Sequence, residues 1–333
     1  MTSFPPRVSV AMCTFNGAKY LRDQLVSIFQ QTRPVDEIVI GDDGSTDETL
    51  EILHDCKAQA GSVAFRILPP IGRLGVTANF ERTLSACSGG LIALCDQDDV
   101  WEGNRVEIQV AEMDKRGDLS VLFSDALLVD ADGASLSRSV FNSIGFRRSE
   151  RLAIKSGHAF DVLLRRNLAT GATVMVRQDL LAVSSPFPPE WVHDEWLAVM
   201  GAATMQVDFV DRPLVRYRQH AGNEIGASNP TLGFRVSRVL EQRGDRNATL
   251  ARKFAVLSEH LDRLGSLVSD RDRELAKRKA AFERRRAGMP AGRRGRIGAV
   301  IREMVRGEYA EFSSQGRLDI LRDLLQPAQT MIS

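Results

Sequence analysis

Up to about residue 118 the chain alternates between two periodicities, and this limits the folds open to it more than any other feature. "RVSVAMCTF" is an apolar, β-branched run, and "NGAKYLRDQLVSIFQQ" then switches to helical spacing with Tyr20, Leu21, Leu25, Ile28 and Phe29 on one stripe. "DEIVIGDD" reads as a short strand. "STDETLEILHDCKAQA" reads as a helix capped by Ser45 or Thr46 with acids in its first turn, and "VAFRIL" as another strand. "TANFERTLSAC", "GLIALC" and "NRVEIQVAEMDK" continue the series as helix, strand and helix. Such alternation implies an α/β fold: a mostly parallel sheet covered by helices on both faces, with right-handed crossovers.

Beyond that point the rhythm loosens. "SVLFSDALLVD" reads as one strand or two, "GATVMV" as a strand, "DEWLAVMGAA" as a helix and "QVDFVDRPLVRYR" as a bent strand pair. After about residue 232 the chain turns polar and helical, so residues 1–232 are expected to form one domain and 233–333 a helical, basic extension. With 333 residues, 43% of them hydrophobic, there is enough material for a substantial core in one large domain or two. No internal repeat is visible.

In an open parallel sheet, ligands bind outside the carboxyl ends of the strands. Three polar clusters fall at such ends: Thr14, Phe15 and Asn16 after the first strand, Asp42 to Ser45 after the second, and Asp96 to Asp99 after the fourth. The last is the most demanding. "LIALCDQDDVW" drives an apolar run into Asp96, Asp98 and Asp99, and carboxylates this close repel one another unless water or a cation sits among them. A nucleotide whose base and ribose offer donors, and whose diphosphate arrives with a divalent metal, suits such a crevice. Each element also has a plainer explanation. "DQDD" alone fits a solvated loop or a helix cap, and "DDGS" an ordinary turn. Asp194 could cap "EWLAVMGA", His220 could be structural, and Trp101, Trp191 and Trp196 could be core.

Taken together, "VSVAMCTFNGAKYLRDQLVSIFQQT", "DEIVIGDDGSTDET", "GVTANFERTLSACSGGLIALCDQDDVW", "TGATVMVR", "HDEWLAVMGA" and "RYRQHAGNEIG" resemble the family 2 glycosyltransferases, over roughly residues 7 to 226. The pairing of "DQDDVW" with "RYRQH" is most similar to the bacterial branch containing rhamnosyltransferases of cell-surface polysaccharide assembly. The resemblance implies the A-type glycosyltransferase fold. It also implies an inverting transfer of a sugar, rhamnose from dTDP-rhamnose by the branch, to a hydroxyl of a glycan or lipid-linked acceptor. Carried over by position, Thr14, Phe15 and Asn16 frame the base and Asp43 holds its imide. Asp98 and Asp99 divide ribose contact and metal coordination, supported by Asp96. Asp194 is the general base, with Glu195 beside it as a rival, and Gly171 matches a turn close to the donor sugar, where Trp191 and Trp196 could also lie. His220 would ligate the metal, Mg²⁺ or Mn²⁺, or donate to phosphate, with Arg218 as an alternative charge partner. A non-catalytic nucleotide-sugar-binding protein that keeps the fold is the alternative, but such a protein has little need of Asp194. No G-x-G-x-x-G follows the first strand, which argues against a dinucleotide-dependent oxidoreductase.

Charge is unevenly distributed. The whole chain is +1, yet Arg271 to Arg306 holds 13 Lys or Arg against 4 Asp or Glu, so the remainder is net acidic. "KRKAAFERRRAGMPAGRRGRIGAVIREMVRG" suits either a helix pair lying on anionic lipid or a solvated helical appendage. Nucleic acid is not expected, because aromatic interleaving is absent. "RLDILRDLLQP" is amphipathic and fits docking on the catalytic domain or on another subunit, leaving a homo-oligomer open. The four scattered cysteines, the lack of a leader-like start and the lack of any run of ~20 apolar residues lead to the expectation of a cytoplasmic protein that meets a membrane only from its surface.

Overall fold

A computed structural model describes residues 6–220 and 246–326. These form two compact units, one of residues 6–159 and 167–220, the other of residues 160–166 and 246–326. The expected boundary at 232/233 lies outside the described residues.

The first unit is built on β1 (Val8–Thr14), α1 (Ala18–Phe29), β2 (Glu37–Asp42), α2 (Thr49–Lys57), β3 (Ala64–Ile67), α3 (Val76–Ala86) and β4 (Leu91–Cys95). It continues through β5 (Val100–Trp101), α4 (Arg105–Lys115), β6 (Leu119–Val129), β7 (Ser135–Ser139), α5 (Val140–Ser143) and α6 (Arg148–Lys155). After α7 (Ala159–Leu163), which from residue 160 belongs to the second unit, come a 3-10 turn at Gly171–Thr173, β8 (Met175–Arg177), α8 (Leu180–Ser184), α9 (His193–Thr204) and β9 (Gln206–Arg218). The sheet order is β3-β2-β1-β4-β8-β6-β9-β5, with β7 beside β6. Strands β3, β2, β1 and β4 are mutually parallel, as the alternation requires. Beyond β4 the sheet becomes mixed: β8 is antiparallel to β4 and β6, whereas β9 is parallel to β6.

The first strands read as continuous apolar runs because helices cover both faces, and every residue of β2 and β4 is buried. Helix α1 turns Tyr20, Leu21, Leu25 and Ile28 into this core. Gly41 of β2 is required by packing. A Cβ there would lie 2.1 Å from Thr83 Oγ1 of α3, and Asn79 Nδ2 donates to the Gly41 carbonyl at 2.7 Å.

Two local expectations are corrected. Helix α2 starts at Thr49 rather than after Ser45 or Thr46, because those residues are taken by other partners: Ser45 by Asp42 and Thr46 by Asn16. "QVDFVDRPLVRYR" is one 13-residue strand, not a bent pair. Its bend is absorbed as register shifts against β6 around Asp125 and Pro213, where proline has no N–H to contribute to the ladder.

In the second unit, helices Arg246–Leu264 and Asp270–Ala287 pack together, followed by Arg293–Val305, Glu308–Phe312 and Arg317–Leu325. The break at "MPAG" separates Asp270–Ala287 from Arg293–Val305. No helix among the described residues is long and apolar enough to cross a membrane.

Candidate active site

Antiparallel pairing of β5 with β9 sets Val100 opposite Arg216 and Trp101 opposite Val215. Followed two residues back along β5 and forward along β9, that register brings the acidic cluster after β4 against Arg218 and His220. His220 Nε2 lies 2.8 Å from Asp98 Oδ2, and its ring packs 4.9 Å from Tyr20. The Arg218 backbone N–H donates to Asp99 Oδ1 at 2.9 Å. The Arg218 guanidinium donates to the carbonyls of Asp98 and Ala131, at 2.8 and 3.0 Å, and lies over Tyr20. It therefore holds the loop together.

Asp99 is buried, and its Oδ2 has no hydrogen-bond partner among the described residues. Burial, then the neighbouring Asp98 and Asp96 charges, pushes its carboxyl well above the usual range. Asp96 is pushed up to about 7 by burial first and then by Asp98 and Asp194. Asp96 thus feels both the Asp98 and the Asp194 charge, so the three carboxylates share one field. The nearby cation is Arg105, the first residue of α4 and fully buried. It stacks on Trp101 at 3.9 Å, donates to Gln109 and to the carbonyls of Leu94 and Val174, and has its own ionisation pulled down to about 10 by burial. Its signal in the sequence was an arginine in register with the buried Gln109 and Met113 stripe of α4, an unusual place for a charge.

Asp194 stands in the first turn of α9, and the helix begins one residue before it, at His193. Its Oδ2 accepts from the Gly171 N–H at 2.9 Å and its Oδ1 from the Glu195 N–H at 2.6 Å. Gly171 is needed for this approach: a Cβ would sit 3.0 Å from His193 Nε2 and 3.4 Å from Asp194 Oδ2. His193 is buried, stacks on Phe80 with ring centroids 3.8 Å apart, and is held neutral by burial, which lowers it to about 3. Trp191 and Trp196 are both buried, with ring centroids 5.5 Å apart, and Trp196 Nε1 donates to Ser184. They brace α9 from within, so the expectation that they line a sugar site gives way to a packing role. Glu195 is half-buried and does not share the Gly171 contact.

At the other strand ends, Thr14 Oγ1 donates to Asp42 Oδ2 at 2.7 Å, and Asn16, with φ of +48°, accepts from the Thr46 N–H. The two oxygens of Asp43 accept from the backbone N–H groups of Leu74 and Gly75, at 2.6 and 3.0 Å. Each carboxylate oxygen keeps a further lone pair for a ligand. Arg73 lies 4.1 Å over the Phe15 ring. Gln97, which no local pattern marks, clasps both the N–H and the carbonyl of Phe15 through its amide, at 2.8 and 2.9 Å. This clasp ties the first cluster to the third.

Among the described residues, no three His, Cys, Asp or Glu side chains are grouped to hold a metal by themselves. Asp98 and His220 supply two donors of the right chemistry, and an ion that arrives with a diphosphate needs only one or two carboxylates or imidazoles from the protein. The unpartnered Asp99 oxygen and the raised Asp96 and Asp99 mark a site short of positive charge. The residues present therefore fit a divalent cation bound jointly with a ligand.

Fold and site together define an α/β domain with an acidic crevice at the carboxyl ends of its parallel strands. Residues 9–163 match the family model Glycosyl transferase family 2. The chain is 29% identical over 219 residues to an uncharacterized protein of Mycobacterium tuberculosis, covering 64% of this chain and 59% of the relative, and so spans under two thirds of that relative's length. It is 26% identical over 231 residues to the dTDP-rhamnosyl transferase RfbG of Shigella flexneri, covering 65% of this chain and 74% of the relative. Two solved structures share the fold at 17% identity and a TM-score of 0.54. One is S. aureus TarS with UDP-GlcNAc, matched over 96% of this chain and 90% of that one. The other is a mannosyltransferase from Pyrobaculum calidifontis with GDP-Man and Mn²⁺, matched over 97% and 86%.

Proposed function

We propose that this protein is a metal-dependent, inverting glycosyltransferase that moves a sugar from a nucleoside diphosphate donor to a hydroxyl of a cell-surface glycan or lipid-linked acceptor. The observation that carries the reading is the buried Asp96 carboxyl, raised by burial first and then by the charges of both Asp98 and Asp194. A diphosphate-binding pair and a base within one electrostatic field is the arrangement a single-displacement transfer needs. Rhamnose from dTDP-rhamnose is the donor we favour, supported by the similarity to the Shigella enzyme.

A sugar hydroxyl is a poor nucleophile at neutral pH, and Asp194 would take its proton as the oxygen attacks the anomeric carbon. The Gly171 and Glu195 N–H groups hold that carboxylate in one orientation. Asp43, Thr14 and Phe15 would receive the base and Asp98 the ribose. Asp98 and His220 would hold Mg²⁺ or Mn²⁺, whose positive charge, when bound, offsets that of the departing diphosphate. Asp99, buried and bonded to the Arg218 backbone, fits the role of support better than that of ligand. The protein would work at the inner face of the cell membrane, with its basic C-terminal segment as the contact.

The test is a donor screen that includes dTDP-rhamnose, UDP-GlcNAc and GDP-mannose, monitoring release of nucleoside diphosphate with and without chelator. Release should require a divalent ion and be lost in Asp98→Asn. Turnover indifferent to chelator would remove the metal assignment. Donor binding without transfer to any acceptor would support a binding protein instead.

A further inference from the structure

The basic tail divides into two parts that behave differently. Every Lys or Arg of the helix Asp270–Ala287 except Arg284 is ion-paired within the second unit. Lys279 and Arg286 are buried altogether. That helix spends its charge internally. In the helix Arg293–Val305 the inward face is Arg296, Val300 and Glu303, and Arg296 donates to the carbonyls of Asp323 and Gln326 at 2.7 and 2.6 Å.

The outward face is apolar. Ile297, Ile301, Met304 and Val305, spaced i, i+4, i+7 and i+8, are 49, 53, 48 and 84% exposed. Four large side chains in one helical stripe make a continuous patch rather than scattered surface residues. Arginines surround it. Arg293 and Arg294 stand at its N-terminal end and Arg302 on its flank, all exposed and without an ion pair among the described residues, while Arg306 bonds Glu303. The helix's one acid, Glu303, is buried and paired to Arg285 and Arg306, so the outward field is positive.

We infer that the helix Arg293–Val305 lies on an anionic lipid surface, with Ile297, Ile301, Met304 and Val305 entering the headgroup boundary and the surrounding arginines meeting lipid phosphates. An apolar interior beneath an anionic plane is the partner that matches an apolar stripe ringed by cations. A second copy of the chain fits poorly, because a symmetric contact would set the same arginines against one another. The inference rests on the membrane part of the proposed function and not on the sugar chemistry.

Full-length protein is floated with vesicles of phosphatidylcholine alone or containing phosphatidylglycerol, at low and high salt. Binding should need the anionic lipid and weaken with salt. Arg294→Gln and Arg302→Gln should each lower partitioning about five-fold, from the ~1 kcal/mol per basic residue near such a surface. Ile301→Asp and Val305→Asp, both at exposed positions that leave the fold intact, should lower it about ten-fold or more. Arg273→Gln, in the ion-paired helix, should change nothing. If wild type binds and Val305→Asp binds equally, this helix is the wrong surface. If wild type binds no vesicle, the membrane reading itself falls. Sedimentation as a dimer that Ile301→Asp dissociates would identify a second copy as the occupant and overturn the inference.

Discussion

In the second unit, Arg286 is 1% exposed and lies 2.8 Å from Glu283 and 2.6 Å from Asp323. Asp323 also accepts from Tyr309 Oη at 2.7 Å and from Asn247 at 3.1 Å. In the first unit, Asp99 is equally buried, has one oxygen bonded to a backbone N–H and the other without a hydrogen-bond partner among the described residues, and feels the charges of Asp98 and Asp96. Both regions remove charge from water, but only one supplies the partners. A buried ion pair whose lone pairs and protons are all satisfied is a structural device. A buried carboxylate left short of a cation raises the energy of the unliganded protein, and that energy is recovered when a positive ligand arrives.

The largest expected effect tests the functional half of this contrast. Asp194→Asn should lower sugar transfer by about 10²–10⁴-fold while donor affinity, measured by calorimetry in the same metal, changes little. Glu195→Gln, the control, should keep transfer near wild type; the reverse result would make Glu195 the base.

Next in size is the structural half. Arg286→Leu leaves Glu283 and Asp323 without their shared cation and should cost about 3–5 kcal/mol of unfolding free energy, read by urea titration. A cost under about 1 kcal/mol would place the network among merely tolerated features.

Metal binding sharpens the comparison further. With its carboxyl at about 7, Asp96 is increasingly protonated as pH falls below neutrality, which removes negative charge beside Asp98. Mn²⁺ affinity, measured in the presence of nucleoside diphosphate, should therefore fall by up to about ten-fold per pH unit below 7. It should be much weaker without the diphosphate, since two protein donors leave most of the coordination sphere to the ligand. Affinity constant over the same interval would dissociate Asp96 from the metal.

The smallest effect concerns Asp99 in chelator. A carboxyl raised in the folded state binds more protons there than in the unfolded chain, so wild-type stability falls as pH rises above the unfolded value of about 4. Asp99→Asn cannot ionise. Its stability relative to wild type should rise with pH above about 4, by at most about 1.4 kcal/mol per unit. A difference independent of pH would show that Asp99 carries no charge penalty.

Much of the first unit was legible in the sequence, because helix and strand periodicity are local and each of the first four apolar runs forms a strand; their order in the sheet, β3-β2-β1-β4, was not. The acidic cluster was legible for the same reason: "DQDD" states its own repulsion. Other features depend on contacts distant in the chain. Gln97 is 82 residues from Phe15, and the pairing of His220 with Asp98 follows from the β5–β9 register over 122 residues. Trp191 and Trp196 look the same in sequence whether they line a pocket or a core. In the tail, composition counted thirteen cations without showing that most of those in Asp270–Ala287 are neutralised by acids from elsewhere in the unit.

What the sequence by itself determined was the set of local preferences: where strands give way to helices, where apolar runs stop, and where like charges collect beyond what unaided burial tolerates. The tertiary structure decided which charges are answered. Arg105 and Arg218 reach the acidic loop without completing it, whereas Arg286 meets its acids in full. The physical reason is that charge–charge energy depends on distance and burial, and both are created by packing between segments that no local pattern relates.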